Sequence, residues 1–303
     1  MKRRIAIVTD EPGWHGARLR EAFARRGWDS EYVSLQGCGF DLSGGGAGLK
    51  IPGFDELPAG VFVRGVPGGT LEQVVFYLDL LHALSRLGVC VYNDGHAIER
   101  SVDKGMASFL LHTAGIPTPA SWVVGEGQDL SQLLQNEFKA GNELVLKPLF
   151  GSQGEGLIRV QETGDLPGSE ACNGVYYLQR FIPTGGDDAH DWRVFVIDGR
   201  AVAAMRRQGR GWISNVAQGA RCHPAVLDTE LRGLAEAAVA ALDMNYAGVD
   251  ILRDGSGNPY VIEINSIPAW KGLQRVCPVD VAQQLADDFL YCCQSNSSME
   301  AVG

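Results

Sequence analysis

Gly248-Val249-Asp250-Ile251-Leu252, followed after a short gap by Tyr260-Val261-Ile262-Glu263-Ile264-Asn265, is the stretch on which the fold of this chain turns. Both runs favour extended backbone, and Arg253-Asp254-Gly255-Ser256-Gly257-Asn258-Pro259 between them concentrates turn-forming residues, so the segment reads as a β-hairpin. Side chains alternate along a strand: Val261, Glu263 and Asn265 should share one face while Ile262 and Ile264 take the other. A register that sets Asp250 opposite them gathers three oxygen donors at one point. Hard oxygen donors suit Mg²⁺, which is usually bound by one or two carboxylates together with substrate phosphates. The same residues also suit a hairpin whose acids are merely solvated. The rest of the chain separates the two readings.

At 303 residues the chain is longer than a single core usually grows, so about two or three subdomains are expected. Its 45% apolar and 20% charged content and mean hydropathy of -0.04 are those of a soluble protein, and no apolar run is long enough for a bilayer span. Met1-Lys2-Arg3-Arg4 is basic, but Ile5-Ala6-Ile7-Val8 is too short for a signal peptide and reads as a first strand. The net charge of -10 argues against nucleic acid as the main partner. The seven cysteines form no Cys-x-x-Cys pair and no zinc-type spacing with histidine; an odd, scattered set points to reduced thiols and a cytoplasmic protein.

Residues 1 to about 93 read as an α/β unit. A strand near Ile5, a helix from Gly16 to Arg26, a strand near Glu31, and the short strands Val61-Phe62-Val63 and Val89-Cys90-Val91-Tyr92 succeed one another. Leu71, Val74, Val75, Leu78, Leu81 and Leu84 recur at helical spacing between the last two, which predicts a crossover helix in a parallel sheet. Gly37 to Gly48 lacks a packing pattern and reads as a mobile surface loop. Arg64 sits at the carboxyl end of a predicted strand, where ligands of open α/β sheets bind.

Further on, Asp103 can cap a helix through Met106 and Leu110. Lys147 ends a strand and precedes Pro148-Leu149-Phe150-Gly151-Ser152-Gln153-Gly154-Glu155-Gly156, a loop whose free N–H groups can approach an anion while the lysine adds charge. It is not a P-loop, because the lysine comes first and a strand follows. Tyr176 to Ile182, Trp192 to Ile197 and Ala201 to Met205 read as an antiparallel meander with an Asp198-Gly199 turn. Asp228 to Leu242 and Val279 to Tyr291 read as helices, and Ser295 to Gly303 as a fraying tail.

The ordered set Asp103-Lys104, Lys147 with its glycine loop, Tyr177-Leu178-Gln179-Arg180-Phe181-Ile182, Asp191-Trp192-Arg193, Ser214-Asn215, Ala247-Gly248-Val249-Asp250 and Glu263-Ile264-Asn265 resembles the ATP-grasp ligases, and within them the RimK-type enzymes that add glutamate to an acceptor. The resemblance covers roughly residues 95 to 292. It implies an α/β fold, α+β in its carboxyl-terminal part: a parallel pre-grasp unit at 1–94, a central ATP-grasp subdomain with a glycine-rich lid at 95–174, a carboxyl-terminal subdomain with the Mg²⁺ site at 175–293, and a flexible tail at 294–303.

By the same resemblance, Lys104 and Lys147 would contact the α- and β-phosphates of ATP, and Gly151, Ser152, Gln153 and Gly154 would close over them. Gln179, Arg180, Phe181 and Ile182 would form the hinge whose backbone meets adenine; Asp191 would hold the ribose, and Asn215 would contact the nucleotide. Asp250, Glu263 and Asn265 would bind two Mg²⁺ ions, sites that Mn²⁺ could also fill, with Glu263 bridging. Arg193, Arg206 and Arg207 would face the γ-phosphate and the substrate carboxylate, and Arg64 an acceptor carboxylate. The implied reaction activates a carboxylate as an acyl phosphate and joins it to an amine, with no protein nucleophile.

Three positions depart from the pattern. Arg180 stands where the hinge usually carries an acid, Ile213, Ala217 and Gln218 are not basic, and the connection Pro183 to His190 is long. The second departure argues against a ribosomal protein tail as acceptor. Phe62-Val63-Arg64-Gly65-Val66-Pro67-Gly68-Gly69-Thr70, with Tyr92-Asn93 and Ala97-Ile98-Glu99, is similar to the glutamate ligases of tetrahydromethanopterin biosynthesis. The expected partners are thus small molecules, an amino acid and an acceptor carboxylate, and not a membrane; a homo-oligomer is in keeping with the family. The competing expectations are a RimK-like ligase acting on a peptide, carrier protein or dipeptide, and an ATP-binding regulatory protein without turnover.

Overall fold

The computed structural model describes residues 4–151, 154–184, 190–209 and 211–300, the side chains of 296–300 excepted. The chain opens with β1 (Arg4–Val8), α1 (Gly13–Arg25), β2 (Asp29–Val33), a small antiparallel ribbon of β3 (Gly39–Phe40) and β4 (Leu49–Lys50), then β5 (Gly60–Val63), α2 (Leu71–Arg86) and β6 (Val91–Tyr92). Strands β2-β1-β5-β6 form a wholly parallel sheet, as near-continuous apolar runs such as Ile5 to Val8 require when both faces are covered. Thr70 and Gln73 close a reciprocal capping box at the start of α2, whose Tyr77, Leu80, Leu81 and Leu84 are buried while Leu71 and Val75 are exposed. Of the stretch Gly37 to Gly48, expected to be a surface loop, residues 41–48 are an irregular and largely exposed connection, while Phe40 before it belongs to β3 and stands edge-on to Phe76.

Helices α3 (Gly95–Val102) and α4 (Lys104–Thr113) follow, then β7 (Ser121–Gly125), α5 (Ser131–Lys139), β8 (Leu144–Lys147), β9 (Ile158–Val160) and β10 (Val175–Arg180). The sheet order β7-β10-β8-β9 places β10 between β7 and β8. The sequence reading put this strand with those that follow it. Its period of two shows which face is apolar but not which sheet buries that face, and Tyr176 and Leu178 pack under α5 with Leu134, Leu144 and Leu146.

The third sheet has the order β13-β12-β11-β14-β15, built from β11 (His190–Ile197), β12 (Arg200–Gln208), β13 (Arg221–Pro224), β14 (Tyr246–Arg253) and β15 (Pro259–Asn265), with α6 (Thr229–Ala241) between β13 and β14. Asp198 and Gly199, at φ of 49° and 65°, make the tight turn joining β11 to β12. Short α7 (Lys271–Gln274) and long α8 (Val281–Glu300) close the chain. The last helix continues to Glu300, well beyond Tyr291 where the sequence reading ended it, because no glycine or proline interrupts the run from Cys292 to Glu300; residues 301–303 of the expected tail lie outside the described residues.

The first and third sheets share one core. Phe23 and Phe62 of the amino-terminal unit pack with Phe195, Tyr246, Trp270 and the α8 residues Leu285 and Phe289. Buried Asn93 stitches the two sheets: its amide donates to the carbonyls of Tyr246 at 2.7 Å and Ser266 at 2.8 Å, and its carbonyl accepts from the N–H groups of Asn245 and Tyr246. All of its hydrogen-bonding capacity is used, which fixes the amino-terminal unit against β14. Among the described residues, no helix is long and apolar enough to cross a membrane.

Candidate active site

The hairpin of β14 and β15 is present, with one difference that reshapes its chemistry. Gly248 pairs with Asn265 and Asp250 with Glu263, but Ile251 pairs with Val261, leaving Ile262 as the extra residue of a β-bulge. The bulge turns Val261 into the core beside Val249, Ile251 and Ile264, and Ile262 joins Glu263 on the cleft side. Strict alternation would have left Val261 on the polar face; burying it contributes about 1.5–3 kcal/mol.

Those strands floor an open cleft of about 970 Å³, solvent at its mouth included, whose opposite wall is the β7-β10-β8-β9 sheet and the glycine loop. Val145, Leu157, Trp212, Ile213, Leu252 and Ile262 give the cleft an apolar lining. Lys104, Lys147, Asp191, Arg207, Asp250 and Glu263 bring charge to the same space. Apolar and charged side chains lining one cleft suit a ligand with both characters, such as a nucleotide.

Lys104 opens α4, where the Asp103 carboxylate accepts from the N–H groups of Gly105 and Met106. Its ammonium donates to the Gly151 carbonyl at 2.6 Å, touching the lid. Lys147, the last residue of β8, donates to Gln179 Oε1 at 2.6 Å, and the Gln179 amide donates in turn to Ser121 and to the Tyr177 hydroxyl. Gln179 is therefore a buried prop for Lys147. Burial pulls Lys147 down to about 8; Glu263 and Asp250 oppose the shift and Lys104 adds to it. Burial lowers Lys104 as well, against Glu263 and Asp103.

At the expected hinge, Arg180 lines the cleft and grips Glu137 of α5 through both carboxylate oxygens, at 2.9 and 2.8 Å. This pair gives the basic residue at that position a structural partner. The N–H groups of Arg180 and Phe181 are committed to the carbonyls of Ala120 and Glu143, so among the described residues the hinge N–H left for a ligand is that of Ile182. Phe181 stands edge-on to Trp212, and Arg159 stacks 4.1 Å over its ring. Gly154, at φ of 75°, lies so close to Asn215 that a Cβ would come within 2.7 Å of its Oδ1; the lid thus touches the wall across the cleft. Ser152 and Gln153 lie outside the described residues.

The acids and arginines of the third sheet form a ladder. Arg193, Asp250 and Glu263 stand opposite one another on β11, β14 and β15, and Asp191 faces Arg207 across β11 and β12. Arg207 donates to both oxygens of Asp191, at 2.7 and 2.6 Å, and reaches Asp250 at 2.8 Å; Ser214 adds a hydrogen bond to Asp191 at 2.5 Å. Arg193 takes both oxygens of Asp250. Burial pushes both carboxyls up. In Asp250 two guanidinium groups overturn that effect and hold it below the usual range, whereas Asp191 has only its share of Arg207 and the Ser214 hydroxyl and stays above it. Burial also works against the Arg207 charge, but Asp250 and Asp191 more than offset it and hold the proton firmly.

Several of the expected site residues have partners within the sheet. Asp191, expected at the ribose, has both oxygens bound and acts as the seat of Arg207. Asp250, expected as a metal ligand, accepts from Arg193 through both oxygens and from Arg207 through one, so a cation drawn to it would compete with those guanidinium groups. Glu263 forms no hydrogen bond or ion pair among the described residues, and the Asn265 amide donates weakly to the Gly248 carbonyl at 3.5 Å, leaving its oxygen to accept. These two offer the hard oxygen donors that fit Mg²⁺. Arg206 alternates onto the other face of β12, between Trp192 and His223, and does not line the cleft.

Arg64 lies outside this cleft, at the junction of the two sheets, where it donates to the Pro268 carbonyl at 3.1 Å and stacks 4.6 Å over Trp270. His15, beneath the same ring, accepts from the N–H groups of Trp270 and Lys271, and burial together with Arg64 and Lys271 lowers it to about 4. Sequence reasoning missed Trp212, Leu252 and Ile262 in the apolar lining of the cleft. An isolated apolar residue looks the same in a core and in a pocket.

Residues 101–289 match the model of the RimK-like ATP-grasp domain. A tetrahydromethanopterin:alpha-L-glutamate ligase of Methanococcus maripaludis is 34% identical over 235 residues, 76% of this chain and 78% of that protein. A probable alpha-L-glutamate ligase of Teredinibacter turnerae is 30% identical over 291 residues, 94% of each. The solved ATP-grasp ligase PsnB, in complex with a minimal precursor, Mg and ADP, has the same fold, with a TM-score of 0.71 and 22% identity over 96% of this chain and 98% of that one. A domain match over most of the chain, joined to a lysine-and-acid cleft between two antiparallel sheets, establishes that the chain belongs to the RimK-like ATP-grasp family of amide-forming ligases.

Proposed function

We propose that the chain joins L-glutamate to the carboxylate of a pterin-type acceptor such as tetrahydromethanopterin, through an acyl phosphate made from ATP. The observation that carries this reading is that Lys104 and Lys147 share one partly apolar cleft with Glu263, which acts on both lysines and forms no hydrogen bond or ion pair among the described residues. Adenine fits against the apolar lining of Trp212, Leu252 and Ile262, with the Ile182 N–H as its backbone contact; the triphosphate then runs toward the two lysines. Glu263 and Asn265 would hold Mg²⁺, with Asp250 beside them as a further oxygen donor. When bound, the metal neutralises phosphate charge.

The acceptor carboxylate oxygen attacks the γ-phosphorus, the bond to the bridging oxygen breaks, and ADP leaves. The glutamate amine then attacks the acyl carbon and expels inorganic phosphate, losing its proton to solvent. Arg207, seated on Asp191 and lining the cleft, is already oriented for the charge that builds on the phosphoryl oxygens, while Arg193, which does not line the cleft, holds Asp250 in place, so little reorganisation is needed as the charge forms. The lid from Gly151 to Gly156 excludes water from the acyl phosphate. Arg64 meets a second carboxylate of the acceptor from the side of the amino-terminal sheet. Similarity to ligases named for tetrahydromethanopterin supports the acceptor.

The test is ADP release by the purified chain with Mg²⁺, glutamate and a panel of pterin, peptide and carrier-protein carboxylates, with product mass read by mass spectrometry. Glutamate added to the pterin is the expected outcome. A peptide or carrier product in its place would refute the acceptor, and ATP binding without ADP release under any condition would refute the ligase mechanism.

A further inference from the structure

Outside the ATP cleft, His82 of α2 and His96 and Glu99 of α3 bring two imidazole nitrogens and a carboxylate within 4.8 Å of one another. We propose that this cluster is a transition-metal site, occupied by Zn²⁺, that clamps α2 of the amino-terminal unit to α3. It does not depend on the function proposed above.

The placement follows from helix geometry. His96 and Glu99 are three apart on α3 and therefore neighbours on its surface, and His82 reaches them from the facing helix. Each oxygen of Glu99 already points at a different ring: Oε1 lies 2.8 Å from His82 Nε2 and Oε2 lies 3.3 Å from His96 Nδ1. The two rings are 4.2 Å apart between centroids. Four-coordinate zinc bound to two nitrogens and an oxygen separates its ligand atoms by about 3.3 Å, given bonds of about 2.0–2.1 Å, so a short approach completes the site. His96 can make that approach, since its side chain is 65% exposed. His82 cannot move far, because its ring lies against Gly95, where a Cβ would stand 2.6 Å from the ring Cε1. One ligand is thus held by backbone packing, the carboxylate is central, and the third closes from solvent.

The donor set selects the metal. Imidazole nitrogen with one carboxylate suits zinc and its neighbours in the first transition row, while Mg²⁺ requires oxygen ligands and water. Without metal these two nitrogens donate to Glu99; Zn²⁺ would take the place of those protons, leaving each histidine protonated on its other ring nitrogen, with water at the fourth position. The consequence is mechanical: α3 leads directly through Val102 to Asp103 and Lys104, so a clamp on α3 steadies the start of α4 that carries a cleft lysine.

The experiment uses the untagged full chain in excess Mg²⁺, titrated with ZnCl₂ by calorimetry and read in parallel by metal analysis after gel filtration, thermal unfolding and Co²⁺ absorption. The expected result is one zinc per chain, a raised unfolding temperature and a Co²⁺ spectrum of low-symmetry four-coordination. His96→Ala, at an exposed position, should leave the apo protein folded and weaken binding by at least about tenfold, the scale on which even supporting groups of a metal site act. Gly95→Ala keeps all three ligands, displaces the His82 ring and should weaken binding too. Absence of stoichiometric zinc, or zinc binding unchanged in both variants, would overturn the proposal.

Discussion

Arg193 and Asp250 stand opposite each other on β11 and β14, and the guanidinium donates to both oxygens of the carboxylate, through Nη2 at 2.7 Å and through Nε. Asp250 is buried and the Arg193 side chain is only 11% exposed, so the pair has little water to fall back on. Asp250→Asn removes the charge that seats Arg193 and half-seats Arg207. It should lower stability by about 3 kcal/mol, the usual cost of leaving a buried partner uncompensated, and reduce kcat by about 100-fold or more. Urea unfolding and ADP release measure the two effects. An Asp250→Asn protein as stable as wild type would show that the pair is not structural.

Glu263 behaves oppositely because nothing among the described residues holds it. Glu263→Ala should change stability by less than about 1 kcal/mol while turnover and Mg²⁺ affinity collapse. A large loss of folding would assign it to the framework. It should also lower Lys147 further, since the Glu263 charge now props that proton up.

Lys147 sets a pH limit. With its free-enzyme pKa near 8, kcat/KM for ATP should fall as pH rises through about 8, because the charge that meets phosphate is lost. The limit on kcat should lie higher, since bound phosphates favour the ammonium. The sign for stability is the reverse: the folded pKa is below the free value of about 10.4, so burying the charged form costs stability below pH 8, and that cost is relieved between about pH 8 and 10.4. Lys147→Arg, which does not titrate there, should abolish the kcat/KM inflection.

The two adjacent arginines of β12 should separate cleanly. Arg206→Ala, on the face away from the cleft, should leave turnover within about twofold, while Arg207→Ala should cost about 100- to 1000-fold in kcat, as for loss of one charge-stabilising donor. Equal losses would mean that Arg206 reaches the substrate.

Arg180 should prove to be a structural residue. Its grip on Glu137 predicts that Arg180→Glu destabilises the chain by about 1 kcal/mol with KM for ATP little changed, and that adding Glu137→Arg restores the stability. A KM effect that survives the charge swap would place its side chain at the nucleotide.

Much of this molecule could be read from residue order. Turn residues between two β-rich runs identified the β14–β15 hairpin, Asp103 marked the start of α4, and apolar periodicity marked α2 as the crossover of a parallel sheet, because capping and periodicity are local and need no partner. Lys104, Lys147, Asp191, Arg207, Asp250 and Glu263 do line one cleft. Partnership was not legible. That Asp191 seats Arg207, that Arg180 turns to Glu137, and that Arg206 and Arg207 face opposite ways depend on which strands are neighbours and in what register, and a period of two is silent about both.

The opening hairpin shows the division most directly. The sequence determined that Gly248 to Leu252 and Tyr260 to Asn265 are strands joined by a turn, with acids at Asp250 and Glu263. Only the tertiary structure decided that Ile262 is a bulge, that Val261 turns inward, and that Asp250 belongs to two arginines while Glu263 stays open. Strand formation is settled by local preference. Bulge position and ion pairing are settled by what the core on one side and the neighbouring strands on the other can bury, and that is a property of the assembled sheets.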